Sequence, residues 1–321
     1  AEAVTRPRAA SEILAPLDEH DVINAARTLI EEHGVGSIAV CTLHAYRNPA
    51  HEARIAEIIR QRWPKVSVSV SSEIVREYRE YERTATTVVN AYVKPIFQRY
   101  IEGLETALAR DGFKGSFYIT RSGGGALPAR DAIANPIHTV FSGPAGGIIG
   151  ATRLAAELER PNLIAVDVGG TSTDACVIHQ GRPSVSYEAR LERLPLMIPT
   201  YDIASIGAGG GSIARVEGRL LKVGPQSAGA TPGPICYGRG GTEPTLSDAA
   251  LALGYLSSDG FLGGEMQLKE AEALAGLDAK VARPLGMSVT DAARGIYDVL
   301  IAKTVAAIRV ITVERGLDPR D

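Results

Sequence analysis

The feature that most constrains this sequence is a glycine turn set between two apolar segments. Residues 163–166 form an apolar run, the octet Asp167-Val168-Gly169-Gly170-Thr171-Ser172-Thr173-Asp174 follows, and residues 175–178 are apolar again. Short apolar runs on both sides of a Gly-Gly step are typical of a strand, a tight turn and a second strand. The sequence therefore predicts a strand–turn–strand unit over residues 163–178.

The octet also has the chemistry of a phosphate-binding turn. Two glycines let the backbone bend with its amide donors pointing outward, three hydroxyls add donors, and a carboxylate stands at each end. Carboxylates and hydroxyls also suit the Mg²⁺ ion that accompanies a nucleotide phosphate. The alternative is a plain β-hairpin with solvated aspartates. Because two acids flank three hydroxyls directly after a strand of the buried type, the pattern favours the phosphate site.

Length and composition fit an α/β protein with two lobes. The chain has 321 residues, of which 45% are hydrophobic. Single cores stop growing at roughly 250 to 300 residues, so two cores are expected. The segment Glu159-Arg160-Pro161 marks the predicted boundary. We therefore expect one lobe over residues 1–160 and a second over residues 161–321.

Charge and cysteine content argue against several classes of function. The net charge is −3, and no segment combines clustered Lys and Arg with interleaved aromatic residues, so nucleic-acid partners are not expected. No apolar run approaches the ~18 to 20 residues of a membrane span, so no membrane association is expected. The three cysteines are far apart and show no CxxC spacing. This is typical of reduced thiols in a cytoplasmic protein.

Periodicity predicts alternating helices and strands in the first half of the chain. A helix ending at Gly34, a strand over residues 37–43, a helix beginning at Pro49 and a strand over residues 66–70 form a βαβ rhythm, which favours a parallel or mixed sheet. A long helix is predicted over residues 84–110, with a kink at Pro95. Its expected apolar face consists of Val88, Val89, Tyr92, Ile96, Tyr100, Leu104 and Leu108.

Further glycine-rich segments surround the octet in sequence. The segment 142–147 leads into a helix, and both an anion-binding helix start and a close-packed helix entry are compatible with it. Asp202 is followed by a second cluster that contains Gly207, Gly209, Gly210, Gly211 and Ser212, and we expect this cluster to lie near the octet. Residues 224–244, with Pro-Gly and Gly-Gly steps throughout, are predicted to form a functional loop or an ordered cap rather than regular structure. In that loop Cys236 and Arg239 are candidates for substrate contact, although Cys236 has no evident basic partner to activate it as a nucleophile.

Several segments, in this order, resemble one family. They are Ser142-Gly-Pro-Ala-Gly-Gly-Ile-Ile-Gly150, the octet, Ile206-Gly-Ala-Gly-Gly-Gly-Ser212 and the segment 224–241, with further likeness at residues 48–52 and 79–84. This combination is similar to the A subunit of the hydantoinase and oxoprolinase family. The resemblance implies an α/β fold of the actin-like ATPase (ribonuclease H-like) type, in which ATP binds between two lobes.

The resemblance also implies roles for individual residues. Asp167 would hold Mg²⁺ through water, Gly169, Gly170 and Thr171 would cradle the terminal phosphates, and Ser172 and Thr173 would support the loop. Asp174 would orient a water molecule or act as a base. Asp202 is counted with Asp167 and Asp174 as a catalytic candidate. Gly207, Gly209, Gly210, Gly211 and Ser212 are counted as further nucleotide-binding candidates.

The activity implied by the resemblance is ATP-dependent hydrolysis of a cyclic amide such as 5-oxoproline or a hydantoin. Phosphorylation of the amide oxygen would make a poorly reactive carbonyl open to attack by water, with a B subunit as partner. Two alternatives stay open. One is an ATP-dependent ketone carboxylase of the same family, and the other is a module that uses nucleotide to regulate its association with a partner.

The sequence departs from the family pattern at its two ends. The family carries an earlier Asp-Xaa-Gly-Gly-Thr phosphate motif and an adenosine-binding glycine motif just past the position of Asp321, and neither occurs here. The resemblance therefore implies a two-lobe fold truncated at both ends. We expect these residues alone to bind ATP weakly and to be inactive.

Overall fold

A computed structural model describes residue 13, residues 15–191 and residues 193–320. The helices of this part of the chain are α1 (Glu19–Arg27), α2 (Ala50–Arg62), α3 (Ser71–Ile74), α4 (Glu80–Arg110), α5 (Ala129–Ala134), α6 (Ser142–Glu157), α7 (Leu246–Ala252), α8 (Glu270–Leu277), α9 (Arg283–Leu285) and α10 (Val289–Ile311). The strands are β1 (Ser37–Val40), β2 (Ser67–Val70), β3 (Tyr118–Thr120), β4 (Ala126–Pro128), β5 (Leu163–Val168), β6 (Thr173–His179), β7 (Arg182–Pro183), β8 (Val185–Ser186), β9 (Ala189–Leu191), β10 (Leu194–Leu196), β11 (Thr200–Tyr201), β12 (Ile203–Ile206), β13 (Ser212–Glu217) and β14 (Leu220–Ser227).

The chain divides into two compact units, and the division differs from the predicted boundary at residue 160. The first unit runs up to Gly146 and also includes Val185–Tyr201, whereas the second comprises Gly147–Ser184 and the chain from Asp202 onward. Residues 185–201 belong to the first unit because they supply Ala189, Leu196 and Ile198 to a core that also contains Val89 of α4. Nothing in the local sequence indicates that the chain returns to the first unit at these residues.

The first unit contains the predicted βαβ arrangement. Strands β1 and β2 pair in parallel, with Ser37 opposite Ser67 and Val40 opposite Val70, and α2 connects them. Apolar side chains of both strands pack with those of α1 and α2 in one core, in which Val40, Ala56 and Val70 are buried. The helix predicted to end before Gly34 is also confirmed, since α1 and the turn Thr28–Glu32 end there.

The carboxyl ends of β1 and β2 are tied to α2 and α4 by a buried polar network. Glu52 is fully buried and accepts hydrogen bonds from Thr42 N (2.7 Å), Ser71 Oγ (2.7 Å) and Ser72 N (2.9 Å). Arg83, also fully buried, donates to Ser71 Oγ (2.8 Å) and to the Thr42 carbonyl (2.6 Å). Two of the family-like segments, residues 48–52 and 79–84, therefore meet in this network.

The face that α4 buries differs from the apolar face predicted for it. Of the predicted set only Val89 is fully buried, Leu104 and Leu108 are half-buried, and the rest are exposed, namely Val88, Tyr92, Ile96 and Tyr100. The helix instead packs through small and polar residues. Among them, Asn90 donates to Ser69 Oγ at 2.9 Å and accepts from Ile137 N at 3.1 Å. Tertiary hydrogen bonds thus outweigh the local hydrophobic period. The helix is continuous through Pro95.

The second unit is built on an antiparallel sheet and a helical layer. Its sheet has the order β12-β6-β5, and β7 also pairs with β6. Strands β13 and β14 form a hairpin that turns at Gly218. Helices α7, α8 and α10 bury Leu246, Leu277 and Ile296 against this hairpin. None of the described helices combines the length and apolar character needed to cross a membrane.

Candidate functional site

The octet forms the turn of the β5–β6 hairpin. Val168 lies opposite Thr173 and Asp167 opposite Asp174, and Gly169 N donates to Ser172 O at 2.9 Å to close the turn. The strand–turn–strand prediction is confirmed. The expectation that the entering strand is buried is wrong, because β5 is half-buried at its start and exposed from Val166 on. In the described sheet β5 is an edge strand, and the central strand β6 carries the buried residues.

The second glycine cluster packs backbone to backbone against this turn. Gly210 N donates to Gly169 O at 2.9 Å, and Gly211 N donates to Gly170 O at 2.6 Å. A Cβ on Gly209 would lie 2.5 Å from Gly169 O, so no larger residue fits without movement of the backbone. The prediction that the two clusters lie together is confirmed. Glycine is required at positions 209 and 211 by the closeness of the two backbones rather than by flexibility.

These contacts leave the turn with free amide donors. Its carbonyls accept from the second cluster, whereas the amides of Gly170, Thr171 and Ser172 have no hydrogen-bond acceptor within the part of the chain that the structure describes. Gly170 and Thr171 are exposed and Ser172 is half-buried. Successive outward amides in a turn form a concave site for an anion. These three amides are therefore candidates for binding an anion.

The hydroxyls around the turn fall into two groups. Thr173 and Ser212 are buried and hold the loops, since Thr173 Oγ1 donates to Ala208 O at 2.5 Å and Ser212 Oγ accepts from Gly209 N at 2.8 Å. Thr171 Oγ1 lies 3.5 Å from Ser227 Oγ at the surface. Thus Thr171 and Ser172 are placed to contact a ligand, whereas Thr173 and Ser212 support the backbone.

Three polar residues form a row across the sheet directly behind the turn. Asp167 on β5, Asp174 on β6 and Ser205 on β12 are cross-strand partners, and such partners lie on one face with Cβ atoms roughly 4.5 to 5.5 Å apart. Ser205 Oγ donates to Asp174 Oδ1. Two carboxylates opposite each other repel, and a divalent cation between them would offset that repulsion. Within the described residues, no group of three or more His, Cys, Asp and Glu side chains is placed to bind a metal.

Ser205 was not among the site residues predicted from the sequence. Its role depends on the register between β6 and β12, which aligns Ser205 with Asp174. The one local signal is its position in the short strand that leads into the second glycine cluster.

One further candidate, Asp202, is not brought to the turn. Asp202 precedes β12 at the end remote from Gly207, about 16 Å away for five residues of extended chain, and it forms an ion pair with Arg315. Gly207 itself lies at the near end, where its carbonyl would meet a Cβ on Gly224 at 3.0 Å. Asp202 therefore has the contacts of a structural residue.

The two candidates in the loop rich in proline and glycine, Cys236 and Arg239, differ in their exposure to solvent. Cys236 is fully buried beside Leu251 and Leu268, and its amide donates to Asp248 Oδ1 at 2.7 Å. Burial, together with the Asp248 carboxylate, raises the pKa of the Cys236 thiol. This environment disfavours contact with a substrate. Arg239 is exposed in the loop and is free to contact a ligand.

The chain is similar to known proteins over the segments that carry these motifs. The Hydantoinase/oxoprolinase family matches residues 83–321, and the Hydantoinase/oxoprolinase N-terminal region matches residues 2–63. The caprolactamase subunit alpha of Pseudomonas jessenii is 40% identical over 308 residues, which cover 96% of this chain and 44% of that protein. The chain thus spans somewhat less than half of this relative.

Two solved structures share the architecture. The nucleotide-free structure of acetone carboxylase, from work on ATP-dependent acetone carboxylation, superimposes with a TM-score of 0.82 at 32% identity, over 95% of this chain and 44% of that one. The ATP-dependent caprolactamase from Pseudomonas jessenii gives a TM-score of 0.79 at 39% identity, over 96% and 45%. The family match covers most of the chain and includes the glycine turn and its partner loop. The chain therefore belongs to the hydantoinase/oxoprolinase family.

Proposed function

We propose that the turn at residues 169–172 binds the terminal phosphates of ATP, in an enzyme that opens a cyclic amide. The observation that carries this proposal is that carbonyls of the turn are hydrogen-bonded within the protein, whereas three amides of the turn are not. Its carbonyls are held by Gly210 and Gly211, while three consecutive amides are left as donors. An anion bound there meets donors that are already oriented, so little ordering has to accompany binding. The proposed setting is an actin-like ATPase fold, which the family resemblance implies.

The residues behind the turn fit a Mg²⁺ ion. Asp167 and Asp174 face each other across the hairpin, on the two strands that the turn connects. Asp167, on the exposed strand, is the one that would hold the ion through water. Mg²⁺ commonly keeps several waters and is bound through one or two carboxylates plus phosphate oxygens. When bound, it would neutralise charge on the phosphates.

Asp174 is the proposed base. It is partly buried, and the hydroxyl of Ser205 donates to one of its oxygens, which fixes the orientation of the carboxylate. Its second oxygen is then available to accept a proton from a water or to orient that water beside the phosphates. Ser205 acts through Asp174, so its role is positioning.

The substrate class follows from the chemistry that the relatives share. The name caprolactamase refers to a lactam, whereas acetone is a ketone. At neutral pH a lactam reacts poorly with water, and a ketone reacts poorly with bicarbonate. Phosphorylation of the amide oxygen would open the carbonyl carbon to water, with phosphate as the leaving group, whereas phosphorylation of the enol oxygen of a ketone would activate its α-carbon for carboxylation, with phosphate lost by cleavage of the P–O bond. We favour a cyclic amide such as 5-oxoproline or a hydantoin. A ketone carboxylase is the second candidate, supported by the likeness to acetone carboxylase.

A partner subunit is also proposed. The caprolactamase relative is named as one subunit of its enzyme, and this chain covers 44% of that subunit. We propose that the partner is a B subunit of the same family.

The decisive test uses the complete enzyme with Asp174→Asn. A positioned base contributes typically ~10² to 10⁴ in rate, so kcat for substrate-stimulated ATP hydrolysis should fall by that factor while the fold is unchanged. Asp298→Asn, on the exposed surface of α10, is the matched control and should leave kcat unchanged. Parallel assays with 5-oxoproline, a hydantoin and acetone plus bicarbonate separate the two substrate classes. Retained turnover in Asp174→Asn would exclude the base role. Nucleotide-dependent association with a partner, with none of these substrates consumed, would favour a regulatory module instead.

A further inference from the structure

A cavity with a positive lining lies at the amino-terminal end of the parallel strands β1 and β2. Its volume is about 400 Å³, and its wall is formed by the last turn of α2, the segment that follows it and the middle of α4. It belongs entirely to the first unit, whereas the phosphate-binding turn proposed above belongs to the second. Neither the family-like motifs nor the proposed activity uses it.

Four cationic side chains line this cavity, and few acidic groups oppose them. They are Arg60, Lys65, Lys94 and Arg99. Arg60 forms an ion pair with Glu73 at 3.3 Å. Glu102, the one acidic residue of the lining, accepts from Gln98 at 2.7 Å. Within the described residues, Lys65, Lys94 and Arg99 form no ion pair, so positive charge is in excess.

Two polar groups in the wall lack the partners they would be expected to have. Lys94 is half-buried, and its ammonium donates to the Val68 carbonyl at 3.1 Å rather than to a carboxylate. Its burial and the charge of Arg60 lower the pKa of Lys94, so an anion beside it would stabilise the charged form. The Ser67 hydroxyl oxygen is buried and has no hydrogen-bond partner among the described residues. A buried hydroxyl without a partner is uncommon in folded proteins.

We propose that this cavity binds a small molecule through a dianion of the phosphate type. Lysine and arginine are the side chains that recognise phosphate, and guanidinium groups bind it through paired donors. A lining with two arginines and two lysines offers these donors from several directions. The volume exceeds that of a phosphate group and lies within the range of small-molecule sites, so the remainder of a phosphorylated metabolite fits beside it.

The test is a titration of the 321-residue chain with inorganic phosphate, followed by the shift of the thermal midpoint at constant ionic strength held with chloride. We expect a saturable rise with phosphate. Lys94→Met and Arg99→Gln should each weaken the affinity at least tenfold. Arg99→Gln is included because Arg99 is exposed and its change should leave the fold intact. Arg110→Gln, at the end of the same helix and outside the cavity, is the control and should bind as the unchanged chain does.

The outcomes separate this inference from the proposed function. Phosphate affinity that is unchanged in both Lys94→Met and Arg99→Gln would overturn it, even if phosphate still binds at the glycine turn. Succinate in place of phosphate tests the type of dianion. Tighter binding of succinate than of phosphate would also overturn the proposal, whereas weaker binding supports it. A tenfold loss confined to the two cavity variants cannot arise from the turn, because the turn lies in the other unit.

Discussion

At the scale of single residues, the candidate site depends on glycines that permit two backbones to touch. A Cβ on Gly209 would lie 2.5 Å from Gly169 O and 2.9 Å from the Gly170 carbonyl carbon. We therefore expect Gly209→Ala to lower the free energy of unfolding by about 1 to 3 kcal/mol, as overpacking does, and to displace the turn. Chemical denaturation measures the first effect. Gly150→Ala in α6 is the matched control, because its Cβ meets nothing within 4 Å and alanine should stabilise the helix by roughly 0.5 to 1 kcal/mol. Equal effects of the two substitutions would contradict the close-contact explanation.

The three cysteines give a second prediction at this scale. Cys41 is half-exposed, with its sulfur 3.1 Å from Thr84 Oγ1, while Cys176 and Cys236 are buried. Burial raises the pKa of Cys176 to about 11, and burial with Asp248 raises that of Cys236 further. Since the thiolate is the reactive form, iodoacetamide at pH 8 should alkylate Cys41 in the native chain and the other two only after denaturation. Peptide mass spectrometry identifies the modified sites, and native Cys41→Ser should remain unmodified. Rapid native alkylation of Cys236 would show that its loop opens.

At the scale of elements, the first unit depends on the buried pairing between α2 and α4. Arg83 and Glu52 are fully buried with 3.8 Å between Nη1 and Oε1, and both bond to the segments that follow β1 and β2. Removing one partner of a buried pair leaves an uncompensated charge. We therefore expect Arg83→Met to lower the free energy of unfolding by about 3 to 5 kcal/mol. Arg110→Met, at the exposed end of α4, should change it by less than about 0.5 kcal/mol in the same urea titration. A small effect of Arg83→Met would show that the donors around Glu52 suffice without the guanidinium.

The same helix shows where local sequence stops being informative. Its extent was predictable from periodicity and the absence of glycine before Gly103, but its buried face was not, because Asn90 and Thr86 bond to residues far away in sequence. Thr86 Oγ1 accepts from Met197 N at 2.9 Å, so the segment 185–201 is recruited by a polar contact. The spacing of hydrophobic residues in the sequence does not indicate such a contact.

At the scale of the whole molecule, the candidate site was more predictable than the division into units. The octet and the second cluster carry their signal locally, in glycines beside acids and hydroxyls, so their meeting could be expected. Ser205 could not, because only strand register aligns it with Asp174. Asp202 was grouped with the site because it precedes the cluster in sequence, yet the length of β12 separates it from the turn. Two residues that are close in sequence are far apart in space when an extended strand separates them.

The most direct test of the central claim is a structure of the complete enzyme with Mg²⁺ and a non-hydrolysable ATP analogue. We expect terminal phosphate oxygens to accept hydrogen bonds from the amides of Gly170, Thr171 and Ser172 at ~2.7 to 3.2 Å. We also expect Mg²⁺ to lie between the phosphates and Asp167, with Asp174 still bonded to Ser205. A nucleotide whose phosphates bind elsewhere, with these three amides facing only solvent, would contradict this claim.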